Sequence, residues 1–352
     1  MCTFLLKYFM YQKPVFSSNI SEHNSFDFLR LLFAFSVFVA HFGVLTSNKI
    51  YFPVSSPMAV SGFFIISGFL ITHSFYRSKN LWDYSLKRIK RVVPAYLLVV
   101  VTFAVLLSMV SLLSFQDYFT SKTFSKYLIS NVLFLNFLQP TLPEVFTANP
   151  LPFVNGSLWT IKVELCLYAI LPLIALCSRK KPFFVFSVFY LLSFLYSLLM
   201  NYLADGSGND IYGFLQRQFF GQIRYFISGA IILFYFDFIV KERVKYFLPI
   251  AAVVFLTKYF FSHWLVDFLY PFSFAVLIVF CAYYFKKISI LTKYGDFSYG
   301  FYLFHFPVIQ IMIHFGFFKE NPVLLFVLCF FVILLFSVLS WHLLEKRVLK
   351  RR

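Results

Sequence analysis

Arg30 and His41 stand eleven positions apart in one apolar run, residues 26–46. A helix turning about 100° per residue brings such positions within about 20° of one face, and its rise separates them by about 16 Å. A guanidinium is a permanent cation that grips phosphate, whereas a neutral imidazole accepts a proton near neutral pH. Taken alone, Arg30 reads as an arginine snorkelling to the inner surface and His41 as a hydrogen-bonded core residue. On a shared face at two depths, they suit a long acyl carrier that enters from the cytoplasm and presents its reactive end to His41.

A second cationic group follows the second apolar run, in Lys87-Arg88-Ile89-Lys90-Arg91-Val92-Val93-Pro94-Ala95-Tyr96. Lys87 and Lys90 read as a topology signal, while Arg88 and Arg91, three apart, share one face of a helical turn and could clamp phosphates. Glu164 lies about seven residues inside its span, where a carboxylate needs a partner; it could orient His41 or pair with an intramembrane arginine. Lys162 is not that partner, because residues two apart on a helix do not face each other. His73, Arg224, Lys258, His263, His314 and His342 read as structural, and the run Arg224-Tyr225-Phe226-Ile227-Ser228-Gly229 is too loose to carry a role. The cysteines show no metal-ligand spacing, and no metal is expected.

The elements that must hold these groups are membrane helices. Of the 352 residues 61% are hydrophobic, with 54 Phe and 23 Tyr, against about 45–50% apolar usage in soluble domains. Apolar runs of about 20 residues recur, each long enough for a helix to cross the roughly 30 Å hydrocarbon core, and the short alternating strands of a barrel are absent. Candidate spans lie near 26–46, 57–76, 92–114, 158–178, 183–203, 219–240, 246–262, 265–285, 298–316 and 323–344. Residues 127–139, short and followed by the Pro-rich 140–153, read as a re-entrant or interfacial segment. The expected fold is thus all-α, a polytopic transmembrane helical bundle of about ten spans plus that segment.

With the N-terminus inside, most of the 31 Lys and Arg fall on cytoplasmic segments, as the positive-inside rule requires. Counting 127–139 as a span would move Arg179, Lys180 and Lys181 outside. The net charge of +17 therefore marks topology and not nucleic acid. The chain reads as a cytoplasmic N-terminal segment (1–25), a membrane domain (26–346) and a basic cytoplasmic tail (347–352) in an inner (plasma) membrane. No removable signal peptide is expected, and the long outer segment 115–157 shapes the entrance for an extracytoplasmic substrate.

Five stretches in order resemble the acyltransferase 3 family of membrane acyltransferases. They are Leu29-Arg30 through His41; Phe63-Phe64-Ile65-Ile66-Ser67-Gly68-Phe69-Leu70-Ile71; Arg88, Arg91, Pro94 and Tyr96; Leu158-Trp159-Thr160-Ile161-Lys162-Val163-Glu164; and Ser298-Tyr299-Gly300-Phe301-Tyr302-Leu303-Phe304-His305-Phe306-Pro307. Ser61, Leu167 and Leu31 depart from residues common in the family. The resemblance implies transfer of an acyl group, most often acetyl, from cytoplasmic acyl-CoA to a hydroxyl of a cell-envelope or lipid-linked carbohydrate. It implies His41 as general base with Glu164 beside it, Arg88 and Arg91 on the CoA phosphates, Arg30 deeper, and Ser67, Trp159, Tyr299 and His305 along the substrate channel. A polysaccharide transporter or flippase is the competing reading, but internal repeats and paired broken helices would be expected of it, and none is evident.

Overall fold

The computed structural model describes residues 24–48, 50–177, 181–261, 263–285, 295–317 and 320–350. The N-terminal segment with Lys7 and Lys13, the basic residues Arg179, Lys180, Lys286, Lys287 and Lys293 expected on the cytoplasmic side, and Arg351 and Arg352 at the C-terminus lie outside the described residues. Every regular element among the described residues is helical. In chain order these are α1 (Phe26–Thr46), α2 (Ser56–Arg77), α3 (Leu81–Leu106), α4 (Phe115–Thr120), α5 (Lys122–Val132), α6 (Trp159–Cys177), α7 (Pro182–Ser207), α8 (Asp210–Gln216), α9 (Phe219–Phe234), α10 (Val244–Phe260), α11 (Trp264–Tyr284), α12 (Ser298–His314), α13 (Pro322–Ser340) and α14 (Lys346–Lys350).

Seven helices among the described residues are long and apolar enough to cross a membrane: Phe26–Thr46, Ser56–Arg77, Leu81–Val110, Trp159–Cys177, Pro182–Ser207, Trp264–Tyr284 and Pro322–Leu349. The remaining three expected spans coincide with α9, α10 and α12, of 16, 17 and 17 residues. The 127–139 segment forms the end of the 11-residue α5 and a 3-10 turn at Asn136–Leu138. At 1.5 Å per residue, α5 is about 16 Å long and cannot span.

Helix ends follow local chemistry. The Asn80 Oδ1 accepts the Asp83 N–H at 2.8 Å, and the Asp83 carboxylate accepts the Lys79 N–H at 3.0 Å. This reciprocal cap starts α3 at Leu81, eleven residues before the expected span, so Arg88 and Arg91 sit on a helix and not in a loop. At α7 the chain enters through Pro182 in the first turn and leaves through Gly208 at φ 62, the usual asymmetry of a helix start and stop. Asn321 caps α13 by accepting the Leu324 N–H at 3.0 Å.

The chain divides into two compact units. The first comprises Met1–Leu29, Val60–Leu86 and Val163–Ile290; the second comprises Arg30–Ala59, Lys87–Lys162 and Leu291–Arg352. In the first unit, the Ser25 N–H and hydroxyl donate to the Ala282 and Phe285 carbonyls at 2.8 and 2.6 Å. Helices α2 and α9 there touch backbone to backbone: a Cβ at Gly68 would run into the Phe226 carbonyl, and one at Gly229 into the Ile65 carbonyl. In the second unit, Phe38 packs on Phe301 and Phe326 with ring centroids 5.8 and 4.9 Å apart, which holds α1 against α12 and α13.

Because that crossing has no room for a methyl group, Gly68→Ala is expected to cost about 1–3 kcal/mol by overpacking. The thermal transition of the detergent-purified protein should fall; an unchanged transition would disprove the backbone contact.

Candidate active site

In the second unit two imidazoles meet. The His41 Nδ1 lies 2.8 Å from the His305 Nε2, with the rings nearly parallel at 8° and centroids 5.1 Å apart. The His305 Nδ1 lies 2.6 Å from the Tyr302 carbonyl oxygen. A carbonyl only accepts, so the His305 Nδ1 carries its proton and donates it. In a neutral ring the His305 Nε2 is then an acceptor, and His41 must donate to it from Nδ1. The His41 Nε2 is left with its lone pair in the plane of the ring, the form a general base requires.

Residues 149–160 hold this pair from behind. The Asn155 side chain donates to the Leu303 carbonyl at 2.9 Å, Thr160 and Tyr302 share a hydroxyl bond of 2.7 Å, and the Asn149 amide meets the Gln310 side chain at 2.9 Å. Gly156 lets the segment approach, since a Cβ there would stand 2.8 Å from the Phe306 ring. Phe306 itself packs edge-on against His41 at 5.2 Å. Residues 149–160 thus lie against α12, and Trp159 is half-buried at the first residue of α6.

The arginines of this unit meet carboxylates. Arg91 Nη2 is bonded to Asp296 Oδ2, Arg30 Nη1 lies 3.4 Å from the same oxygen, and Arg91 Nη1 lies 3.6 Å from Glu345 Oε2. The Arg91 guanidinium also sits 5.6 Å from the Tyr299 ring centroid, and the Tyr299 hydroxyl donates to the Val92 carbonyl at 2.9 Å. Tyr299 is therefore built into the arginine cluster. Burial alone would raise the Asp296 pKa, but the charges of Arg91 and Arg30 and the hydrogen bonds from Ser298 reverse this and leave it lowered. Two guanidinium groups face two carboxylates, which neutralises Arg30 and Arg91 locally. Arg88, half-buried one turn back on α3, belongs to the same unit.

Asp296 and the role of Glu345 escaped the sequence reading. Gly295, at φ 155 and too close to the Trp341 ring for any side chain, turns the chain so that Asp296 points inward. A π-helical turn at Trp341–Glu345 rotates Glu345 into the protein, where Ser340 donates to it at 3.0 Å. The available signal for Asp296 was its place two residues before the first residue of α12, where an acid favours a helix start.

In the first unit Glu164 accepts hydrogen bonds from the Ser67 hydroxyl at 2.7 Å and from the Tyr168 hydroxyl. Both of these groups are hydroxyls, and the imidazole standing against His41 is His305. In the second unit the Lys162 ammonium sits 4.4 Å from the Phe137 ring centroid.

Spanning helices with a hydrogen-bonded imidazole pair define a membrane protein with an acid–base centre among its helices. The chain belongs to the acyltransferase 3 family, matching its acyltransferase domain over residues 23–342, and is an acyltransferase. It is 30% identical over 349 residues to an O-acetyl transferase of Shigella phage Sf6, covering 94% of this chain and 97% of that one. It is 31% identical over 172 residues to Nodulation protein 10 of Rhizobium leguminosarum bv. viciae, covering 45% and 46% of the two chains. It is 23% identical over 335 residues to O-acetyltransferase OatA of Staphylococcus aureus, covering 84% of this chain and 53% of that one. No solved structure matches.

Asp296→Asn leaves two half-buried guanidinium groups short of a carboxylate, Arg91 keeping Glu345, and should cost about 1–3 kcal/mol at neutral pH. Folding lowers the Asp296 pKa, so its stabilisation is full above the ordinary value of 3.8 and is lost as pH falls through the lowered one. Stability measured against pH should show the two proteins converging only below 3.8; a constant gap down to lower pH would contradict the assignment.

Proposed function

We propose that the chain transfers an acyl group, acetyl first among candidates, from cytoplasmic acyl-CoA to a hydroxyl of a cell-surface or lipid-linked carbohydrate. The observation that carries this reading is the His41–His305 pair, which presents an unprotonated His41 Nε2 beside a fixed hydrogen-bond partner. The relatives named as O-acetyltransferases support the acetyl and hydroxyl parts.

In the proposed reaction the His41 Nε2 removes the proton of the sugar hydroxyl as its oxygen attacks the thioester carbonyl. The resulting imidazolium is steadied through Nδ1–H by the neutral His305 acceptor. When the tetrahedral intermediate collapses, the C–S bond breaks and the CoA sulfur takes the proton back from His41, leaving a sugar ester and free CoA. The carboxylate of Glu164, held by Ser67 and Tyr168, contributes to the acceptor side.

The donor's phosphates fall to Arg88 and Arg91, with Arg30 assisting deeper. Arg91 uses both terminal nitrogens on Asp296 and Glu345, and Arg30 shares Asp296. The pantetheine arm follows α1 from Arg30 to His41. The same reading makes the chain a ten-span protein of a bacterial plasma membrane, with both termini in the cytoplasm and residues 149–160 on the acceptor side.

His41→Ala should lower acyl transfer by about 10²- to 10⁴-fold with acyl-CoA binding retained; a variant that still transfers acetyl at the parent rate would end the proposal. Arg88→Ala and Arg91→Ala should each raise KM for acyl-CoA, and Arg91→Ala should also lower the thermal transition. An unchanged KM in both would reject the phosphate assignment. A reporter fused after Arg352 should read cytoplasmic, and an external signal would overturn the ten-span topology.

A further inference from the structure

Arg224 in the first unit is a buried cation without a carboxylate partner among the described residues. It is 7% exposed, about 8 Å along α9 from Phe219 at 1.5 Å per residue. Its Nε is sealed from the surface and has no hydrogen-bond partner among the described residues. Its terminal nitrogens likewise form no hydrogen bond or ion pair with the described residues, and the ring on the guanidinium is that of Tyr225. The Arg224 Cζ stands 5.1 Å from the Tyr225 ring centroid, and Tyr225 meets Tyr270 edge-on at 6.5 Å.

The backbone beneath this group is firmly placed. The Arg224 N–H donates to the Ser193 hydroxyl at 3.1 Å, Ser193 donates to the Phe220 carbonyl at 2.7 Å, and Ser228 donates to the Arg224 carbonyl at 2.8 Å. Asp267, one turn before Tyr270 on α11, is engaged by Lys258. Snorkelling to water would leave the guanidinium exposed, which it is not. The phenol groups of Tyr225 and Tyr270 have no hydrogen-bond partner among the described residues either. A fork of N–H donors and two phenols, with no protein anion bonded to them, is chemistry complementary to an oxyanion carried on a sugar ring.

We propose that Arg224, Tyr225 and Tyr270 form a binding site for the oxyanion of an anionic carbohydrate, either a glycosyl phosphate or a hexuronate. Arg224 takes the anion through its planar fork, and the tyrosines take ring hydroxyls. The choice of a sugar as the carrier rests on the proposed acyl transfer to carbohydrate; the anion preference rests on the cluster alone. Ser193 sets the depth of Arg224 and is a positioning residue.

The test uses the full-length protein in lipid nanodiscs and measures equilibrium binding of a hexose 1-phosphate, a hexuronate and the neutral hexose. At least one anionic sugar should bind about tenfold or more tightly than the neutral one. Arg224→Gln should abolish that preference, Arg224→Lys should keep part of it, and Tyr270→Phe should weaken all three sugars alike. Preference for the phosphate identifies a glycosyl phosphate, and preference for the uronate an acidic sugar. Equal binding of charged and neutral sugars, or a preference surviving in Arg224→Gln, would overturn the site. Acyl-CoA binding measured on every variant reports folding, and Arg224→Lys carries the test if Arg224→Gln has lost it. Failure of the parent protein to turn over acyl-CoA would strike the acyl-transfer reading and leave the anion preference standing.

Discussion

A carboxylate shared by two arginines governs the second unit. Asp296 draws Arg30 from α1 and Arg91 from α3 onto one oxygen, and Glu345 from the π turn after α13 completes the cluster through Arg91. Charges among membrane helices are tolerated only when they are matched. The match therefore dictates which faces of these helices meet. With Arg30 turned to Asp296, the register of α1 carries His41 about 16 Å further along the same face. It arrives against α12, where His305 waits on a helix that begins two residues after Asp296. A structural ion cluster and an acid–base pair are thus two ends of one helix–helix contact.

The pairing of His41 with His305 gives a neutral analogue of the familiar arrangement in which a carboxylate orients a catalytic imidazole. A carboxylate would stabilise the imidazolium more strongly, but among apolar helices it would need a compensating cation of its own. A second imidazole, fixed by a backbone carbonyl, sets the tautomer without adding charge. The polar segment 149–160 serves the same end through Asn149, Asn155 and Thr160, which satisfy groups on α12 and its neighbours that apolar packing would leave bare. Glu164 is treated differently in the first unit, where two hydroxyl donors converge on it.

Much of the helical plan was legible. Apolar runs marked the seven helices long and apolar enough to cross a membrane, all but α3 beginning within a few residues of the expected start, because crossing hydrocarbon demands continuous apolar length and internal backbone hydrogen bonding. The common face of Arg30 and His41 followed from helical periodicity alone. The start of α3 was misjudged because the charged Lys87–Arg91 run reads as a loop in a hydropathy scan. Its Asn80 and Asp83 cap was nonetheless written in the chain, three residues apart.

Partnership is what the sequence by itself could not determine. Local spacing set where each helix lies and which of its own residues share a face, since those depend on geometry within a few turns. Only tertiary structure decided that His305 stands against His41 across 264 positions and that Asp296, locally no more than an acid before a helix start, is buried between two arginines. It also decided that, among the described residues, Arg224 has no carboxylate partner while Arg91 has two. Each of these outcomes turns on how distant helices rotate against one another, and that rotation is set by the sum of packing and charge matching over the whole unit.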